Sequence, residues 1–110
     1  MIIALEPDPR NYSRLITTLK VNKVRNVVAL PYALYGSNGY LNFLQSSATA
    51  TSHVICGIEE TKTIKVRGVS LLTLINIFKL SYIDLLKLDV EGAEYNILSS
   101  SLEVLRKGCV

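Results

Sequence analysis

A chain of 110 residues, 49% hydrophobic and 19% charged, has room for one domain around one core and excludes an intrinsically disordered polypeptide. No apolar run approaches the roughly 18 residues that span a bilayer, and Glu6 interrupts the apolar start, so neither a membrane span nor a secretory leader is expected. The formal charge of +3 comes from basic residues scattered along the chain, not from the clustered stripe of a nucleic-acid interface. These features lead us to expect a soluble, cytoplasmic protein with a mildly basic, solvated surface and with neither membrane nor nucleic acid as partner. Cys56 and Cys109 are too few for a disulfide framework and lack metal-ligand spacing, as does the single histidine, His53. No metal site is expected. Two small buried thiols are the simplest reading of the cysteines, with a bridge between them as the alternative.

In chain order, residues 2–5 form a short apolar run that stops at Glu6-Pro7-Asp8-Pro9, which predicts a buried strand ending in a turn. Asp8 suits an N-cap and Pro9 the first helical position. Tyr12, Leu15, Ile16 and Leu19 follow at i, i+3, i+4 and i+7, the apolar stripe of an amphipathic helix that Asn22 would end. Residues 27–34 read as the next strand, with Pro31 marking an edge or a break because proline offers no ladder donor.

After the turn 36–39, residues 40–44 and 64–69 are expected to pair as a half-exposed antiparallel insert. The small polar stretch 46–52 lies between them. Ser70 can cap a helix whose Leu71, Leu74, Ile75 and Phe78 share one face. Residues 83–90 form a near-continuous apolar run, as expected of a parallel strand covered on both faces, with Lys87 in need of a partner such as Asp84 or Asp89. Glu91-Gly92 turns the chain into one helix over 93–106 that buries Ile97, Leu98, Leu102 and Leu105. Gly108 follows as its C-cap, and a further strand would begin at Cys109. Alternating strands and helices of this kind predict an α/β sandwich with a mostly parallel sheet.

Ligands of open α/β sheets bind at the carboxyl ends of the strands. Glu6 ends the first strand there, where a carboxylate can accept both hydroxyls of a ribose, although an exposed turn acid is an equal reading on spacing alone. Asp89 and Glu91 end the last one. They are candidates for a general base, a metal ligand or a polar ligand contact, against the alternative that they, with Glu94, cap the following helix.

The run Ala4-Leu5-Glu6-Pro7-Asp8-Pro9 with Asn11 and Leu15, the segment Ala33-Leu34-Tyr35-Gly36 with Gly39, the lead-in Val69-Ser70-Leu71 with Leu74, and above all the signature from Ile83 to Glu94 resemble the FkbM family of S-adenosylmethionine-dependent methyltransferases. The resemblance covers nearly the whole chain, in order. It implies a Rossmann-like class I methyltransferase fold and methyl transfer, commonly to a hydroxyl oxygen of a small molecule. By position, Glu6 would hold the cofactor ribose, Ala33 and Leu34 would lie by the adenine, and Asp89 and Glu91 would face the methyl group and its acceptor.

Residues 1–110 depart from the family pattern at both ends. They contain no strand with a glycine-rich loop of the Asp-Val-Gly-Ala-Asn kind, they open on what should be the second strand, and they stop where the fifth begins. The expectation is therefore a single partial domain: an incomplete three-layer sandwich that binds S-adenosylmethionine weakly or not at all and is inactive alone. A non-catalytic α/β assembly or partner-binding module is the alternative, and a small nucleic-acid-binding protein ranks last. With the central strand absent from these residues, either 2–5 and 83–90 pair directly or two chains meet through the exposed sheet edges as a homodimer.

Overall fold

The computed structural model describes residues 1–46, 61–90 and 92–109. His53, Cys56 and Glu91 lie outside the described residues. Strand β1, Ile2–Leu5, leads into helix α1, Pro9–Val21. Asp8 sits in extended backbone (φ −73°, ψ 119°) and accepts the Arg10 N–H at 2.8 Å, which makes it the N-cap foreseen, with Pro9 in the first turn. Asn22 closes the helix through its N–H to Thr18 O at 3.1 Å. The stripe Tyr12, Leu15, Ile16 and Leu19 is half-buried, and the Tyr12 hydroxyl donates to Ala29 O at 3.4 Å.

Pro31 breaks residues 27–34 into β2, Val27–Leu30, and β3, Tyr32–Leu34. The two halves join different sheets. β1 and β2 pair in parallel with Ile2 opposite Val27 and Leu5 opposite Leu30. β3 pairs in parallel with β5, Thr61–Val69, and β5 pairs antiparallel with β4, Gly39–Ser46. The expected insert therefore forms, but it is welded to the parallel framework through the β3–β5 contact. Among the described residues the result is a mixed α/β fold with a two-stranded and a three-stranded sheet, instead of one continuous parallel sheet.

Helix α2, Leu71–Phe78, starts at Ser70, whose Oγ accepts the Thr73 N–H at 3.2 Å. The turn before β4 reinforces this start. The Asn38 side chain accepts the Ser70 N–H at 2.9 Å and donates to Thr73 Oγ1 at 2.9 Å. Leu71 and Leu74 are buried, Ile75 and Phe78 half-buried, and Lys79 ends the helix in the left-handed region at φ 51°.

The single helix expected over 93–106 is two: α3, Glu94–Ser100, and α4, Leu102–Arg106. Ser101 lies at the break. It is buried, and its hydroxyl donates to Ile97 O at 2.7 Å, taking the carbonyl that a helical amide would use. The break rotates the second half, so that Ile97 and Val104 are buried while Leu98 and Leu102 face solvent. Gly108 follows α4 at φ 68°, the left-handed geometry that favours glycine. Gly36 fits against α3 for lack of a side chain: a Cβ there would overlap the Asn96 carboxamide and approach Asn96 O to 3.1 Å.

Residues 83–90 do not form a strand. Ile83, Leu86, Leu88 and Val90 pack against the core of Leu34, Val69, Leu71, Leu74, Ile97 and Val104, while Leu85, Lys87 and Asp89 are exposed. From Leu86 to Val90 the covered residues recur with a period of two, that of a strand with one covered face, whereas Ile83 is out of phase with them. The ladder is missing because these residues have no hydrogen-bonded strand beside them; the Ile83 N–H to Cys109 O bond, 2.6 Å, is the single backbone bond from them to another segment among the described residues. Lys87 reaches solvent and needs no buried counter-ion, so the expected pairing with Asp84 or Asp89 does not occur. Direct pairing of 2–5 with 83–90 does not form either. Cys109 is a half-buried free thiol. No described helix is long and apolar enough to cross a membrane.

Candidate functional site

An open cleft of about 1210 Å3 runs between the free side of β1 and residues 82–90, floored by β3 and the inner face of β4. Four of the five residues singled out from the sequence line it: Glu6, Ala33, Leu34 and Asp89. They come from three widely separated segments. The end of β1 delivers Glu6, β3 delivers Ala33 and Leu34, and the extended segment before α3 delivers Asp89. The fifth, Glu91, lies outside the described residues.

The backbone fixes Glu6 tightly. Its N–H continues the β1–β2 ladder to Leu30 O at 3.1 Å, and its Oε1 accepts the Asp8 N–H at 2.9 Å. One carboxylate oxygen is thereby held against the turn. An ionised carboxylate offers about four lone-pair sites, so Glu6 keeps acceptor capacity toward the cleft.

Behind Glu6 stands a polar cluster that the sequence did not announce. Asp8 is buried, and its carboxylate accepts the Arg10 side chain at 3.1 and 3.4 Å, the Arg10 N–H at 2.8 Å and Gln45 Nε2 at 2.9 Å. Burial pushes this carboxyl up. The hydrogen bonds from Arg10 and Gln45 and the guanidinium charge outweigh that effect and hold it at about 2. Asp8 and Arg10 are legible as an N-cap and its neighbour, but Gln45 is 37 positions away and carried no signal. The cluster ties the β1–α1 turn to β4 and so fixes one wall of the cleft against its floor.

Asp89 is exposed, and its carboxylate has no hydrogen-bond or ion-pair partner among the described residues. It does not cap the following helix. α3 has no side-chain cap; Glu94 Oε2 accepts the Gly92 N–H at 2.8 Å, ahead of the helix, and the backbone N–H groups around it hold its carboxyl below the usual range. Within the acidic signature, Glu94 is thus bound to the backbone of its own turn, and Asp89 lines the cleft. Among the described side chains, the cleft carries three acids (Glu6, Asp84 and Asp89) against one base (Lys87), a negative lean in a chain of net charge +3. The described residues hold no group of three or more histidines, cysteines and carboxylates arranged to bind a metal.

No curated protein and no solved structure matches the chain. The family model described as the methyltransferase FkbM domain matches residues 1–109, which span every described element and all five candidate residues. The chain belongs to the FkbM methyltransferase family.

Proposed function

We propose that these residues form the ribose side and the acceptor side of an S-adenosylmethionine site, serving methyl transfer to a hydroxyl oxygen of a small molecule. The observation that carries the reading is the convergence of Glu6, Ala33, Leu34 and Asp89 on one cleft from three segments of the chain.

The residues present fit the cofactor's chemistry. Glu6 is anchored through one oxygen and has acceptor capacity left for ribose hydroxyls. Ala33 offers an apolar surface of the kind an adenine ring uses, and Leu34, its neighbour on β3, is anchored in the core. The negative lean of the cleft suits a sulfonium cation. When bound, S-adenosylmethionine supplies an electrophilic methyl group. Asp89 accepts a hydrogen bond from the acceptor hydroxyl and orients its oxygen, a role that the family resemblance also gives to Glu91. Positioning of this kind is the protein's main contribution to a displacement reaction.

The methionine end of the cofactor needs donors that the glycine-rich strand supplies in the family, and residues 1–110 contain no such motif. Each hydrogen bond to a charged group contributes roughly 1.5–3 kcal/mol. Two or three fewer weaken binding by on the order of a thousandfold. Titration calorimetry of the 110-residue chain with S-adenosylhomocysteine is therefore expected to show weak binding, with no turnover. A peptide carrying the Asp-Val-Gly-Ala-Asn strand, added in trans, should tighten it, and Glu6→Ala should abolish the gain. Micromolar binding by the chain alone overturns this division of the site. Tightening that survives Glu6→Ala removes the role given to Glu6.

A further inference from the structure

We propose that two copies of this chain associate by pairing their β4 strands antiparallel across a two-fold axis at Asn42. The inference is independent of the methyl-transfer reading. It rests on the chemistry of one sheet edge.

β4 is the longest strand with a free side. It pairs with β5 without a break in register from Gly39 opposite Gly68 to Ser46 opposite Thr61, and no described strand lies on its other side. Every second peptide group of that edge therefore presents outward an N–H and C=O with no strand partner among the described residues. Edge strands are ordinarily blunted by shortness, a bulge, proline or a charged side chain. β4 has none of these. It runs for eight residues, its ladder shows no bulge, and Gly-Tyr-Leu-Asn-Phe-Leu-Gln-Ser contains neither proline nor charge. Its outer face also leaves Tyr40 77% and Leu44 68% exposed. The free edge of β1, by contrast, is four residues long.

A second copy is the matched occupant. The edge has no charge with which to select an acidic or basic peptide, and an uncharged strand meets no like-charge repulsion when it pairs with itself. In antiparallel pairing, residues directly opposite each other share a face. With Asn42 on the axis, Tyr40 lies opposite the partner's Leu44 and Leu44 opposite the partner's Tyr40, so both exposed apolar groups are covered twice over. A shift of two positions would set Leu44 against Asn42 and Tyr40 against Ser46 and would waste both contacts. The cations Lys65 and Arg67 of β5 sit one strand in from the edge. Across the dimer the two β5 strands are three strand spacings, about 14 Å, apart. That exceeds the screening length of roughly 8 Å at physiological salt, so their repulsion is weak. The outcome is a closed, isologous pair with a continuous six-stranded sheet.

Sedimentation of the 110-residue chain over a concentration series tests this. A monomer–dimer equilibrium is expected. Asn42→Lys, which sets two ammonium groups face to face on the axis, should raise the dissociation constant at least tenfold with the far-UV circular dichroism unchanged. Leu44→Lys, should the first variant fail to fold, must do the same. Hydrogen exchange should show every second amide of residues 39–46 gaining protection as concentration rises. A strict monomer at millimolar concentration overturns the proposal, as does an open-ended series of oligomers. So does a dimer that withstands both lysine variants while folded but is broken by Leu85→Lys, which would place the contact at the cleft instead.

Discussion

Asp8 combines burial with full ionisation, and this makes it the residue whose charge matters most to stability. The carboxyl is held at about 2 in the folded chain against an unfolded value near 4. Its stabilising contribution is therefore complete above about pH 4 and is lost as pH falls through about 2. The difference corresponds to roughly 2 kcal/mol. Asp8→Asn should keep the helix cap, since asparagine caps as well as aspartate, but it gives up the charge-assisted bonds from Arg10. Urea unfolding at pH 7 is expected to show a loss of about 1–2 kcal/mol for this variant. Between pH 4 and pH 2 the variant should decline less than the parent chain. An identical slope for the two proteins over that interval would remove Asp8 as the source of the acid sensitivity. The effect bears on the site because Asp8 shares its turn with Glu6, and the Asp8 N–H is what holds the Glu6 carboxylate.

At the level of elements, α1 and α2 begin at side-chain acceptors, Asp8 and Ser70, whereas α3 and α4 begin without a side-chain cap. α2 shows the capped start most clearly. Ser70, Thr73 and Asn38 form a small polar knot in which Ser70 Oγ caps the helix while Asn38, from the turn before β4, holds the Ser70 amide. Ser70→Ala should cost about 1 kcal/mol by thermal or urea unfolding. Asn38→Ala should cost a similar amount although it lies outside the helix, because it leaves the Ser70 amide without its acceptor. Equal stability of Asn38→Ala and the parent chain would show that the turn and the helix are not coupled. The cap at Ser70 was legible from sequence. The part played by Asn38 was not, since 32 positions separate it from Ser70 and only the packing of the turn on the helix brings them together. Likewise Pro31 announced a break, but not that β2 and β3 would enter different sheets.

For the whole molecule, the decisive feature is the open cleft beside residues 83–90. A segment with strand periodicity and an apolar composition stays out of any sheet because a strand is defined by its neighbours and not by its own sequence. Hydrogen exchange should find the amides of 84–90 exchanging fast, with Ile83 the exception through its bond to Cys109 O. Leu85 is 83% exposed, so Leu85→Ser should change stability by less than about 0.5 kcal/mol. Leu88→Ala, which removes a side chain packed against the core, should cost about 1–2 kcal/mol. Slow exchange throughout 84–90 would mean that a strand is already paired there in solution.

The sequence by itself determined the local grammar of this protein. Asp8-Pro9 and Ser70 start helices, Pro31 interrupts a strand, Gly108 follows a helix end, and the acidic signature before α3 marks the family. Each of these is decided by a residue's own backbone preference or by hydrogen bonds reaching two or three positions along the chain. The tertiary structure decided everything that depends on distant partners. It joined β3 to β5, buried Asp8 beneath Gln45, turned Ser101 inward to split the last helix, and left residues 83–90 extended without a ladder. It also assigned the acids their surroundings, giving Glu94 to the backbone of its own turn and leaving Asp89 in the same cleft as Glu6. Contacts of this range are fixed by how elements pack, and a residue's local pattern carries no information about which side chain from tens of positions away will satisfy it.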